Sequence, residues 1–172
     1  MNIKRDIYQA IRAQILANVP EIKHCLLFNN QYNKDNEEEA FSYPNAFFEY
    51  SQLIWQDVVN QQTKADANIT IHLGFERYQT EDLTYFDTIK SVYLALQGFS
   101  SGSLFTGLKR IEEVQDTDHD NVIVWKIIFS TQITDCEATA DASREQFTIT
   151  SLEVQTDLDI DHPVIRTGDG NF

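Results

Sequence analysis

Ile3, Ile7, Ile11 and Ile15 recur every four residues, with Arg5, Arg12 and Gln14 between them. That spacing lays one apolar stripe along a helix of about four turns, which Pro20 ends. Farther along, Ile69, Ile71, Leu73 and Phe75 alternate with Thr70, His72, Gly74 and Glu76. Strict period two predicts a strand with one buried and one polar face. Leu83, Phe86, Ile89, Tyr93 and Leu96 then return to helical spacing. Thr80 is the expected N-cap, Glu81 and Asp82 suit the positive end of the helix dipole, and Gly98 is the expected stop.

Weaker patterns fill in the rest. Residues 24–28 form a short strand, followed by a polar run from Asn29 that ends in Glu37, Glu38 and Glu39. A loop of that length in a compact domain is functional or mobile. Tyr43 and Pro44 open a second strand over residues 46–50. Residues 53–59 fit helix or strand by periodicity, and their β-branched and aromatic content favours strand. Residues 61–67 are polar and read as a turn, and the Ser- and Gly-rich residues 99–107 as a flexible connection. Residues 108–115 and 121–131 are strands joined by an acidic turn, most simply an antiparallel hairpin. In the second of these, Ile123, Trp125, Ile127 and Phe129 share one face while Val122, Val124 and Ile128 share the other, as in a central strand covered on both sides.

The sum is an α+β domain over residues 1–135, an antiparallel sheet packed by two main helices. Residues 136–172 form an acidic C-terminal extension. From Asp135 onward, nine acidic residues stand against Arg144 and Arg166. Residues 146–154 read as one more strand, with Phe147 and Ile149 alternating with threonine, and are a candidate intersubunit strand or arm. The last fifteen or so residues are expected to be extended or disordered when the protein is alone.

A chain of 172 residues that is 42% hydrophobic, with eleven Phe, seven Tyr and two Trp, can build a sizeable core. Its formal net charge of -14 opposes sequence-independent binding to phosphate, which depends on Lys and Arg displacing counterions. It equally opposes attachment to anionic membranes. The N-terminus lacks the apolar run of a signal peptide, and no segment approaches the ~20 apolar residues of a membrane span. Production in the cytoplasm is expected, with use there or in something larger built there. Cys25 and Cys136 fit no metal spacing and read as two reduced thiols.

Candidate chemistry is sparse. Asp116, Asp118 and Asp120 have the spacing that opens a calcium loop, but Asn121 and Ile127 stand where Gly and Glu are required. A solvated hairpin turn accounts for them better. His24, His72, His119 and His162 fall in four segments with no i, i+4 pair, and His72 is expected to be a solvent-facing or interface imidazole. Ser100, Ser101 and Ser103 lack the elbow spacing of a nucleophile, and there is no phosphate-binding glycine pattern. The chain is therefore expected to have no catalytic residues, metal or cofactor, and to work through its surfaces. Trp125 reads as core. Trp55 does too, though it is also a candidate subunit-interface residue.

The order of elements resembles the tailed-bacteriophage tail-completion and tail-terminator proteins, which join head to tail. The likeness runs through the first helix, the strand entry Tyr43-Pro44-Asn45-Ala46-Phe47-Phe48-Glu49 and Ala67-Asn68-Ile69-Thr70-Ile71-His72-Leu73. It continues in the helix from Tyr85 to Gly98, in Leu108-Lys109-Arg110 and in the closing strand to Asp135. It covers roughly residues 1–135 and stops before the acidic extension. It implies a structural virion protein at the neck: a homohexamer ring that stops tube polymerisation, docks tail tube to connector and leaves a pore for DNA. In such a ring Glu37, Glu38 and Glu39 are candidate channel-facing residues, and carboxylates there would repel passing phosphate. Residues 146–154 would add a strand to the next subunit.

Two other classes fit the same residues. One is a small acidic binding or inhibitor module that occludes a basic partner. The other is an enzyme with a scattered site, in which His72 converges with Glu49 or Asp57. Oligomeric state separates the first from the ring, and the position of His72 decides what the second requires.

Overall fold

In the computed structural model, residues 2–32, 41–58, 62–76, 83–119 and 122–137 are described. Helix α1 (Ile3–Asn18) starts where the Asn2 side chain accepts the Arg5 amide at 3.1 Å, satisfying a donor that the first turn leaves open. Its isoleucine stripe is buried throughout. Each such side chain stabilises the fold by about 1.5–3 kcal/mol. The Val19 N–H bonds back to the Ile15 carbonyl just before the turn at Pro20.

Five strands form one sheet in the order β1-β2-β3-β5-β4. They are β1 (His24–Leu27), β2 (Asn45–Asp57), β3 (Thr63–Glu76), β4 (Lys109–Asp116) and β5 (Val122–Asp135). Pairs β2–β3, β3–β5 and β4–β5 are antiparallel, as the alternation predicts. β1 breaks the expectation of a wholly antiparallel sheet. It runs parallel to β2, pairing His24 with Asn45 and Leu27 with Phe48, so the sheet is mixed. Parallel neighbours need a crossover of a dozen or more residues, and residues 28–44 are long enough to supply it.

β2 continues to Asp57, which confirms residues 53–57 as strand. The turn expected over residues 61–67 is shorter than predicted, because β3 already begins at Thr63. Ala65 and Ala67 are its inward positions, and their small side chains hide the alternation from a hydrophobicity reading. Strand β5 is interior, with partners on both sides.

Helix α2 (Thr84–Leu96) lies beside α1, where Gln14 Nε2 donates to the Ala95 carbonyl at 2.9 Å. It stops before Gly98, whose φ of 79° an L side chain would resist. The expected N-cap and first-turn acids, Thr80, Glu81 and Asp82, lie outside the described residues. The buried face is Thr88, Ile89, Val92 and Leu96, a partial correction to the predicted stripe. Leu83 and Phe86 are 62% and 44% exposed, because Val92, and not Tyr93, faces the sheet. Tyr93 instead carries the Arg110 guanidinium 3.8 Å above its ring.

Residues 99–107 are not the flexible spacer their composition suggests. Phe105 is buried and bridges to Ile133, and the Thr106 N–H donates to the Gln132 carbonyl at 2.9 Å. Both helices and this loop share one main core with Phe48, Ile69, Ile71, Leu73, Ile127 and Phe129. The opposite side of the sheet carries a second, smaller core.

Candidate functional site

The second core sits over the polar side of β3. Alternation predicts that Thr70, His72 and Gly74 face solvent, yet Thr70 and His72 are only 3% and 2% exposed. Thr70 donates to the Ser51 hydroxyl at 2.9 Å, and aromatic side chains of the β1–β2 connection cover His72 and Gly74. Phe28 stacks on the His72 imidazole, ring centroids 3.8 Å apart and planes within 8°. Tyr32, Phe47 and Val124 are buried beside it with Phe28, Phe41, Tyr43 and Val122 packed around them. Gly74 makes room for this cover. A Cβ there would lie 2.6 Å from both the Tyr32 ring and Asn45 Oδ1, the atom to which the Tyr32 hydroxyl donates at 2.7 Å.

Under the cover, His72 Nε2 lies 2.7 Å from Glu49 Oε2. A carboxylate accepts, so Nε2 carries the proton. Nδ1 is buried with no partner among the described residues. Burial pushes the His72 pKa below the ordinary histidine value; the Glu49 hydrogen bond and charge oppose this, and Lys126 adds to it. The imidazole is therefore held neutral at pH 7. Lys126 is the register partner of His72 on β5. Its ammonium reaches Asp116 Oδ2 at 2.6 Å, and His119 Nε2 is 3.5 Å from the same oxygen. Burial pushes Asp116 up, but hydrogen bonds from Lys126 and the Asp118 amide, with the nearby Lys126 charge, outweigh it and leave the carboxyl below its usual range.

A polar row (Glu49, His72, Lys126, Asp116) thus crosses four strands on one face. Of the two alternative carboxylates for an enzyme reading, Glu49 meets His72, while Asp57 lies at the far end of β2. A general base needs a substrate atom within hydrogen-bond reach. Here Nε2 is engaged and Phe28 covers the ring. A cavity of about 220 Å³ is lined by Glu21, Tyr43, Phe75, Glu76, Tyr85 and Thr88, without His72. The pair links β2 to β3, and the His72 ring gives Phe28 of the aromatic cover a surface to stack on. Among the described residues no three His, Cys, Asp or Glu side chains gather as metal ligands. Asp116 Oδ1 accepts the Asp118 amide at 3.2 Å, a turn contact, and Asp120 lies outside the described residues.

The remaining predicted positions are dispersed. His24 is exposed at the start of β1, and His162 lies outside the described residues. Cys25 is buried, its thiol pushed up to about 12 by burial against the opposing pull of Arg12, and Cys136 is exposed. Trp125 is half-buried, its Nε1 donating to Glu113 at 2.9 Å. Trp55 is 38% exposed in the far half of β2, with Ile54 at 50% and Val58 at 41%. Glu37, Glu38, Glu39, Phe147 and Ile149 lie outside the described residues. No described helix is long and apolar enough to cross a membrane.

Sequence reasoning missed Phe28 and Asn45 as parts of this centre. A signal was present: a strand histidine two residues before a glycine, and, well upstream, Phe28, Tyr32, Phe41 and Tyr43, which need somewhere to pack.

These elements define an α+β protein whose mixed sheet carries two helices on one side and an aromatic cover on the other. No family model matches the chain, and no curated protein matches it. Among solved structures, its fold is similar to that of a chain described as "Virion of native gene transfer agent (GTA) particle", with a TM-score of 0.53 and 11% identity. The match covers 75% of this chain and 95% of that one. At such identity the likeness is one of fold.

Proposed function

We propose that the chain is a structural virion protein that closes the head-proximal end of a tail tube and joins it to the neck. It acts as a six-membered ring around the DNA channel, needs no cofactor and performs no catalysis. The fold likeness to nearly the whole length of a chain from a virion particle carries this reading. It agrees with the resemblance to tail-completion proteins found in the order of elements.

Physical chemistry supports the role. A net charge of -14 favours a surface past which DNA moves without adhering. Glu37, Glu38 and Glu39 are the residues we assign to the channel, and changing all three to Gln should slow DNA ejection or increase DNA retention. A sheet with open edges offers the contacts a ring requires.

The test is native mass spectrometry of the purified chain, alone and with tail tubes, followed by negative-stain imaging. Six copies of the 19.9 kDa chain, about 120 kDa, with a central hole support the ring. A chain that stays monomeric in both mixtures and captures a basic protein would replace it with the acidic inhibitor.

A further inference from the structure

We propose that the outer edge of β2 over residues 50–57 receives residues 146–154 of a second copy of this chain as an added strand. This rests on the ring reading and names its contact.

The acceptor is an open edge. β1 pairs with β2 only over Asn45–Phe48, and the Phe28 N–H donating to the Phe48 carbonyl at 2.8 Å is the last bond. Where β1 stops, β2 becomes exposed at every position from Ser51 to Asp57 except Leu53. No described backbone group bonds to its outer side there. Proteins protect such edges with lysine, proline, a bulge or a covering segment. The bulge of β2 falls between Tyr50 and Gln52, and leaves Gln52 to Asp57 in unbroken register with β3. Those six residues, Gln-Leu-Ile-Trp-Gln-Asp, hold neither lysine nor proline. A template of this kind is built to be covered.

The donor matches it. Leu53 and Trp55 pair with Ala67 and Ala65 on the helix side of the sheet, while Gln52, Ile54 and Gln56 take the other side. Residues 146–150, Gln-Phe-Thr-Ile-Thr, divide the same way, with Phe147 and Ile149 on one side and Thr148 and Thr150 on the other. Added to the edge, they extend the apolar row of Leu53 and Trp55 and set threonines, with their hydroxyl and methyl groups, beside Gln52, Ile54 and Gln56.

Reach allows the exchange. The described chain ends at Glu137, whose Oε1 accepts the Ile3 amide at 2.8 Å, next to Asp135 paired with Thr63. Eight residues, 138–145, lead from there to residue 146 and allow a span of up to about 30 Å. The β2 edge of the same copy is two strands away, about 10 Å. That reach exceeds the distance to its own sheet edge and is long enough for the edge of a neighbour. Donor and acceptor are different patches, and such head-to-tail contacts form a ring when the rotation between neighbours closes. Folding back onto the same copy would occupy both patches and leave the ring without this contact.

Hydrogen exchange at the β2 amides tests this in the full chain, against the full chain carrying Phe147→Asp and Ile149→Asp, with native mass spectrometry at each dilution. We expect exchange at residues 50–57 to be at least tenfold slower in the wild type, and the protection to vanish on dilution as the oligomer dissociates. Protection that persists in the diluted monomer overturns the proposal, because the segment then folds onto its own copy. Equal rates in both proteins also overturn it. In that case a surviving hexamer spares the ring reading, and a chain that also stays monomeric when mixed with tail tubes removes both.

Discussion

Glu49 and His72 hold one hydrogen bond, Oε2 to Nε2 at 2.7 Å, across the β2–β3 ladder and beneath the Phe28 ring. The bond joins β2 to β3 under that ring, and the burial of the imidazole makes stability depend on pH. In the unfolded chain histidine takes a proton as pH falls through about 6.5. Folded His72 resists it, because burial lowers its pKa. Stability is thus full above that value, declines as pH falls below it, and levels off once the folded pKa is passed. Urea unfolding between pH 7.5 and 5 should show this decline, and His72→Gln should flatten it. Equal slopes in the two proteins would remove His72 as the cause. Glu49→Ala leaves Nε2–H without its acceptor and should cost about 1–3 kcal/mol at pH 7.

Gly74 is the position where the cover is tightest. Gly74→Ala drives a methyl into the Tyr32 ring and Asn45 Oδ1, both buried. Overpacking of this kind costs about 1–3 kcal/mol. Thermal unfolding should fall accordingly, and near-ultraviolet circular dichroism should report displaced tyrosine. A neutral substitution would mean that the Tyr32–Asn45 pair is free to move.

Trp55 separates folding from assembly. It is exposed in the monomer, so Trp55→Ala should change unfolding free energy by no more than about 0.5 kcal/mol. A buried aromatic anchor at an interface is worth 2 kcal/mol or more, on the order of thirtyfold in affinity. Sedimentation across a dilution series should show dissociation at correspondingly higher concentration. Unchanged assembly would take Trp55 out of the interface.

The two thiols should react very differently. Cys25 is buried beneath α1 with its thiol pushed up to about 12, so almost no thiolate is present at pH 7. Iodoacetamide followed by intact-mass measurement should add one group to the native chain, at Cys136, and a second only after denaturation. Rapid double labelling of the native protein would contradict the burial of Cys25.

Long, strictly periodic segments were readable in the sequence. The isoleucines of α1 and the alternation of β5 carry enough apolar contrast to announce both period and face. What escaped depends on partners distant in the chain. The direction of β1 is set by where residues 28–44 return to the sheet, and four residues of strand carry no sign of that. The polar side of β3 looked solvent-facing because threonine, histidine and glycine are polar or small. Its burial comes from Phe28 and Tyr32, more than forty residues earlier. The Glu49–His72 contact was written in the sequence only as one of several candidate pairings. Ala65 and Ala67 were passed over for the opposite reason, since alanine marks a buried position too weakly to be read as one.

The unequal lengths of β1, four residues, and β2, thirteen, have an evolutionary consequence. Phe48, Ile71 and Ile127 answer to one another in the core, so a change at one is felt by the rest. Positions such as Ile54, Trp55 and Gln56 are exposed, and drift there disturbs folding far less. Lineages that change partners can rewrite the far half of β2 while the body keeps its shape. Divergence then gathers where relatives touch different neighbours, and architecture outlives the letters that first encoded it.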